Sequence, residues 1–142
     1  GNTAVFPTAK GLTLIDTKNP GWGQPLLDKI KTISDKPITT VINTHTHYDH
    51  VSANVLMPAT VEIIAQENTA KMMPNSSGGP DIPENVFKTN PGKGLAKKTF
   101  KDKMTIGSGA DQINLYYFGP AHTGGDAFVE FVADKVMHVG DT

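Results

Sequence analysis

The stretch I-T-T-V-I-N-T-H-T-H-Y-D-H, Ile38 through His50, decides how the rest of the chain is read. Its first five residues are β-branched throughout, which suits a buried strand. That strand feeds directly into a turn where three of the chain's five histidines and one aspartate occupy six consecutive positions. In the spacing H-x-H-x-D-H, His45, His47 and Asp49 share one parity, so an extended or gently curved segment directs all three the same way. His50 follows where a helix-like turn brings it round. Two neighbouring imidazoles are thereby offered to one cation, and a carboxylate with a third imidazole to another. Both ligand types suit zinc. At this composition the pattern would arise by chance in roughly one such chain in a few thousand. The competing reading is a polar turn with coincidental histidines.

Two further places offer matching ligands. His122 stands in the Gly/Pro-rich loop G-P-A-H-T-G-G-D (119–126), straight after an apolar strand reading. Asp141 follows Val139-Gly140, again at a strand end. His138 is the contrasting case. Along 136–141 the even positions face one way and the odd positions the other, so if Asp141 faces a metal, His138 faces away.

The organisation around these residues is mixed α/β. Ala4–Phe6 and Leu12–Ile15 read as strands joined in a hairpin. Pro25 marks a helix start, with Leu26, Leu27, Ile30 and Ile33 as one apolar stripe ended by Ser34-Asp35-Lys36-Pro37. Val61–Ala65 reads as a strand, followed by a helix near Gln66–Met73 that Pro74 stops. Asn75–Asn85 is loop-rich, a connector in preference to a mobile loop beside a site. Beyond it Lys101–Ile106, Gln112–Phe118, Ala127–Ala133 and Val136–Val139 predict a largely antiparallel second half.

Composition narrows the function classes. The length of 142 residues suits one domain with a modest core. Net charge is −1 and the basic residues are scattered, which leaves no electrostatic footprint for nucleic acid or an anionic membrane. Lys97, Lys98, Lys101 and Lys103 form the one basic cluster, read as a solvated face in preference to a phosphate contact. The absence of cysteine removes disulfides, thiolate metal sites and thiol nucleophiles without fixing a compartment. No apolar run approaches the roughly 18 residues of a membrane span, and no signal peptide is visible. The first residue is Gly rather than Met, so a leader removed from the chain stays open, and with it the localisation.

Taken in order, the residues resemble the metallo-β-lactamase superfamily of metallohydrolases. Four blocks carry the resemblance: Leu14-Ile15-Asp16-Thr17, the H-x-H-x-D-H turn, the H-T-x-G-D block at 122–126, and Gly140-Asp141. The resemblance implies an αββα layered sandwich, with residues 1–142 as a partial domain. It implies two metal ions, zinc in preference to iron or manganese. His45, His47 and His122 would hold the first, and Asp49 and His50 the second. Asp141 would bridge both, with a hydroxide held between the cations as nucleophile and Asp49 orienting it. Asp16 and Asp126 resemble the acidic residues of the family's strand-end and H-T-x-G-D blocks, and either could receive the outer N–H of a ligand imidazole. Tyr48, between two ligands, reads as a packing residue in preference to a substrate contact.

The chain departs from the family pattern by stopping at Thr142, directly after the bridging-aspartate block. The family continues with a strand and helix section bearing a last histidine. The expectation is therefore a truncated piece, lacking one ligand of the second metal, and with apolar sheet surface open to homo-oligomer formation. The resemblance implies a small-molecule substrate. Members that cleave β-lactams carry a thiol or hydroxyl residue where Asp141 stands. An all-His/Asp site resembles instead the branch of thioesterases, lactonases and phosphodiesterases. With no basic phosphate patch, an ester, thioester or lactone is the expected substrate. The alternatives are a mononuclear iron oxygenase on the same scaffold and a metal-binding but inactive piece.

Overall fold

The computed structural model describes residues 1–77 and 85–142. Two β-sheets stack face to face. The first has five strands in chain order: β1 (Ala4–Pro7), β2 (Leu12–Ile15), β3 (Ile38–Asn43), β4 (Glu62–Gln66) and β5 (Lys98–Phe100). β1 and β2 form the expected antiparallel hairpin, while β2 through β5 run parallel. The second is an antiparallel meander of β6 (Lys103–Ile106), β7 (Ile113–Tyr116), β8 (Phe128–Phe131) and β9 (Val136–His138). Four α-helices are described: α1 (Gly23–Lys31), α2 (Tyr48–Val51), α3 (Glu67–Met72) and α4 (Val86–Thr89).

Parallel strands must be covered on both faces, which is why β2, β3 and β4 read as near-continuous apolar runs. Ile15, Ile42 and Ile64 project between the sheets and pack with Ile113, Leu115, Val129 and Phe131. Leu12, Leu14, Val41 and Ile63 project the other way and pack with Ile30 of α1. The layers are thus helix, sheet, sheet. Among the described residues no helix is long and apolar enough to cross a membrane.

Several elements differ from the sequence expectation. Helix α1 begins two residues ahead of Pro25, a position whose N–H needs no intrahelical partner. Ile33 does not join its apolar stripe and is 63% exposed. The N–H groups of Thr32 and Ile33 donate to the carbonyls of Lys29 and Ile30, and this tighter i→i+3 pattern rotates Ile33 off the stripe. The strand expected over 101–106 begins only at Lys103. Lys98–Phe100 forms a strand of its own, parallel to β4 in the first sheet, with Phe100 buried between the sheets. Three residues are too few for periodicity to register. The four clustered lysines are exposed; Lys98 pairs with Glu62 at 3.1 Å and Lys103 lies 5.0 Å from the Tyr116 ring centroid. Helix α4 has no counterpart in the sequence reading. Asn85 caps it, its side chain accepting from the N–H groups of Phe87 and Lys88. Of the loop expected at Asn75–Asn85, residues 78–84 lie outside the described residues.

Candidate metal centre

The histidine turn begins where β3 ends, at the carboxyl edge of the parallel strands. Asp16 follows the end of β2 at the same edge. Its φ is +62°, in the left-handed region that Asp tolerates better than most residues. The side chain is fully buried, and its two oxygens accept three hydrogen bonds. Oδ1 accepts from the Thr44 N–H at 2.7 Å; Oδ2 accepts from the Thr44 hydroxyl at 2.6 Å and from His50 Nδ1 at 2.7 Å. Because the Thr44 hydroxyl gives its proton to Asp16, it accepts from His45 Nδ1, 3.0 Å away. One carboxylate therefore sets the tautomer of two imidazoles and leaves Nε2 of both His45 and His50 as bare lone pairs.

Glycine lets the later segments approach. A Cβ on Gly140 would lie 2.8 Å from Thr44 Oγ1, and its φ of +64° already disfavours any other residue. Gly125 is pressed onto α3, where a Cβ would lie 2.5 Å from Thr69 Oγ1. Asn68 Nδ2 and Thr69 Oγ1 donate to the carbonyls of Gly124 and Gly125, and the Ala127 N–H donates to the Thr44 carbonyl. These bonds carry the 119–126 loop to the histidine turn.

Three imidazoles converge as a result. His47 Nδ1 lies 3.2 Å from His45 Nε2 and 3.0 Å from His122 Nε2. A tetrahedral cation with metal–nitrogen bonds of about 2.0–2.1 Å separates its ligands by about 3.3 Å. The spacing of the nitrogens fits that requirement. Beside them, His50 Nε2 is buried with no hydrogen-bond partner among the described residues. It faces Asp141 Oδ1 at 3.3 Å and Asp49 Oδ2 at 3.5 Å. One imidazole nitrogen facing two carboxylates is a donor set that suits a cation, and in its absence a proton on Nε2 relieves the same crowding of negative charge, in keeping with the raised His50 pKa. The two clusters share a wall: the His45 and His50 rings are 4.1 Å apart, and Asp141 Oδ2 lies 3.8 Å from His122 Nε2.

The protonation tendencies follow from these contacts. Burial, then the neighbouring His50, push the His45 pKa down to about 4. Burial also acts to lower His50, but the hydrogen bond and charge of Asp16, with Asp49 and Asp141, outweigh it and leave its pKa raised. For Asp49 burial acts upward, while the Gly1 α-amino group at 2.8 Å and His50 hold the carboxyl below its ordinary value.

Thus His45, His47 and His122 lie within 4.8 Å of one another by ligand atom, as do Asp49, His50 and Asp141. Asp16 groups with His45 and His50 by distance too, but its oxygens are already taken by the Thr44 and His50 donors. Asp49 arrives differently from the parity expectation. The chain turns helical at Tyr48, so Asp49 sits in α2 beside His50 and does not continue an extended run. His138 belongs to neither cluster and accepts from the Gly140 N–H at 3.2 Å. Asp126, a candidate outer partner, accepts from the N–H groups of Ala121 and Thr123 and from the Thr123 hydroxyl. It organises the His122 loop through these bonds, none of which goes to an imidazole. Sequence reasoning missed Thr44, Asn43 and Asn54. The two asparagines bond each other, and Asn43 Nδ2 and Thr17 Oγ1 both donate to the His50 carbonyl. Only the position of Asn43-Thr44, directly ahead of the cluster, hinted at this support.

The family model of the metallo-beta-lactamase superfamily matches residues 1–142. The chain belongs to the metallo-beta-lactamase superfamily. Among solved structures, it is similar to a metallo-beta-lactamase of Cronobacter sakazakii, with TM-score 0.73 and 18% identity over 95% of this chain and 53% of that one. It is also similar to a subclass B3 metallo-beta-lactamase of Bradyrhizobium japonicum, with TM-score 0.70 and 20% identity over 99% and 51%. At these identities the likeness is one of fold. A curated relative, the 2,4-dinitroanisole O-demethylase subunit alpha of Nocardioides sp. (strain JS1661), is 26% identical over 109 residues, which are 75% of this chain and 30% of the relative. The chain spans about half the length of the two structures and under a third of the curated relative. Superfamily membership and the clustered His/Asp groups together support a metallohydrolase-type function.

Proposed function

We propose that the protein is a hydrolase dependent on two divalent cations, with zinc as the metal and an ester, thioester or lactone as the bond cleaved. The observation that carries this reading is the convergence of bare imidazole lone pairs at two adjoining points, with the buried, partnerless His50 Nε2 at the second. His45, His47 and His122 would hold one cation; Asp49 and His50 the other; Asp141, which faces both clusters, would serve both. Cations so placed supply Lewis acidity and bring the pKa of bound water from 15.7 to about 7. The chain's own residues do the positioning. Asp16 and Thr44 hold Nδ1 of two imidazoles as the donor and so keep Nε2 of each turned toward the place a cation would take. Asp49 is a carboxylate at neutral pH, placed to accept a proton or a hydrogen bond from the attacking water.

A second reading comes from the O-demethylase relative, whose name specifies removal of a methyl group from oxygen. That name specifies neither a metal nor an oxidant; the alternative of a mononuclear iron oxygenase on the same scaffold would consume oxygen, whereas hydrolysis of the ether would not. One experiment separates the readings: elemental analysis of the purified protein, followed by assays on nitrophenyl esters, thioesters, lactones and 2,4-dinitroanisole with and without a chelator. Zinc content, with ester or lactone hydrolysis that a chelator abolishes and zinc restores, supports the proposal. Iron content with oxygen uptake overturns it in favour of the oxygenase. Bound metal with no turnover of any compound leaves a binding module.

A further inference from the structure

Among the described residues, two cavities bear on the site. The larger, about 790 Å³, lies between the segments 55–63 and 92–98 and includes none of the clustered histidines and carboxylates. The smaller, about 410 Å³, opens directly against His47. Thr46 and His47 form one wall; Lys71, Met72, Asn75 and Ser77 are among the residues of the other. Its volume is at the lower end of the roughly 300–1,000 Å³ of small-molecule sites.

Both walls are held in place. The Ser76 hydroxyl donates to the Thr46 carbonyl at 2.6 Å, tying the segment after α3 to the histidine turn. Asn68 and Thr69 bind α3 to the His122 loop, and Met72 Cε lies 3.7 Å from the Cβ position on Gly124. The cavity is therefore a fixed continuation of the metal centre, with an apolar surface from Met72 adjoining it. Among the described residues that line it, the one charged group is a cation. Lys71 is exposed and, among the described residues, makes neither hydrogen bond nor ion pair, although Glu67 stands four residues before it on the same helix. Asn75 and Ser77 add neutral hydrogen-bonding groups, and no carboxylate of the described residues lines the space.

We infer that this cavity receives the distal end of the substrate and selects acyl groups that end in a carboxylate, with Lys71 as the specificity-determining residue. The inference rests on the hydrolase reading for the position of the scissile bond. A reacting group held beside His47 and His122 extends its apolar chain over Met72, and the terminal carboxylate meets Lys71 with a hydrogen bond available from Ser77 or Asn75. The cavity's small volume favours a chain of a few carbons. A single exposed ammonium matches one carboxylate, and the pair should give about a threefold to fivefold gain in affinity.

The test compares the mono-nitrophenyl ester of glutarate with nitrophenyl butyrate, in the zinc-loaded protein and its Lys71→Ala and Lys71→Arg variants. Lys71→Ala should raise KM for the glutarate ester about threefold to fivefold while kcat, zinc content and KM for the butyrate ester stay unchanged. Lys71→Arg should recover most of the loss, and added salt should narrow the difference. A parallel calorimetric titration with glutarate reads binding without turnover and should show the same weakening in Lys71→Ala. If neither ester is cleaved, the hydrolase reading fails and the titration alone decides the cavity. Equal glutarate affinity in wild type and Lys71→Ala, absence of glutarate binding, or equal KM changes for both esters would overturn the inference.

Discussion

Replacing Asp16 by Asn isolates the charge of one buried oxygen pair from the backbone that carries it. Asn adopts a φ near +62° as readily as Asp, so the β2 end should keep its course. The amide cannot reproduce the bonding, however. Two donors converge on Oδ2 and one on Oδ1, so its NH₂ meets at least one of them in either orientation. Each bond to a charged acceptor contributes about 1.5–3 kcal/mol. With the cheaper orientation chosen, the metal-free protein should lose about 2–4 kcal/mol in a urea titration. The second consequence is chemical. Without an anion drawing on Nδ1, His50 and, through Thr44, His45 no longer keep Nε2 bare, and metal affinity should fall about 10–100-fold. Competition with a chromophoric chelator measures that fall at each site. Thr44→Val breaks the link to His45 but not the bond from His50, so it should weaken one site and spare the other. If Asp16→Asn is destabilised yet binds both metal equivalents with wild-type affinity, Asp16 is a purely structural residue and the tautomer argument fails.

Other outcomes follow from the same geometry. His45→Ala and His47→Ala should each lower zinc content far more than His138→Ala, read by elemental analysis after dialysis; equal loss from all three would refute the assignment. Gly140→Ala places a methyl group 2.8 Å from Thr44 Oγ1 at a strained φ, and should cost about 1–3 kcal/mol together with measurable metal affinity; a silent substitution would show that the 139–142 segment is free to move. For the metal-free protein, His45 has a folded pKa below its unfolded value, so its contribution is present above pH 6.5 and disappears as pH falls toward about 4. That contribution is on the order of 3 kcal/mol. His50, raised on folding, contributes below pH 6.5 and loses its contribution as pH rises through its folded pKa. Urea midpoints measured in chelator should therefore peak between these limits, and His45→Ala should flatten the acid side alone. An unchanged acid limb in that variant would contradict the burial argument.

What the sequence determined by itself was which metal-capable side chains cluster and the strands that carry them. The β-branched run 38–42 reads as a strand covered on both faces, and the spacing at 45–50 singles out the metal-capable side chains that follow it. His122 and Asp141 were legible as strand-end residues among glycines; His138 does lie outside both clusters, but β9 ends at His138 and Gly140 has a φ of +64°, so a turn and not strand parity separates it from Asp141. Tertiary structure decided which groups serve the site from outside it. Asp16 and Asp126 looked equivalent as acids near motifs, yet one holds two imidazoles and the other holds a loop. That difference depends on where β2 ends relative to β3, a parallel register set by packing on both faces of the sheet. The placing of Lys98–Phe100 in the first sheet, and of Lys71 beside His47, likewise arises from contacts between residues far apart in the chain. Local pattern reports how a segment buries its own faces; it carries no record of which distant segment will lie against it.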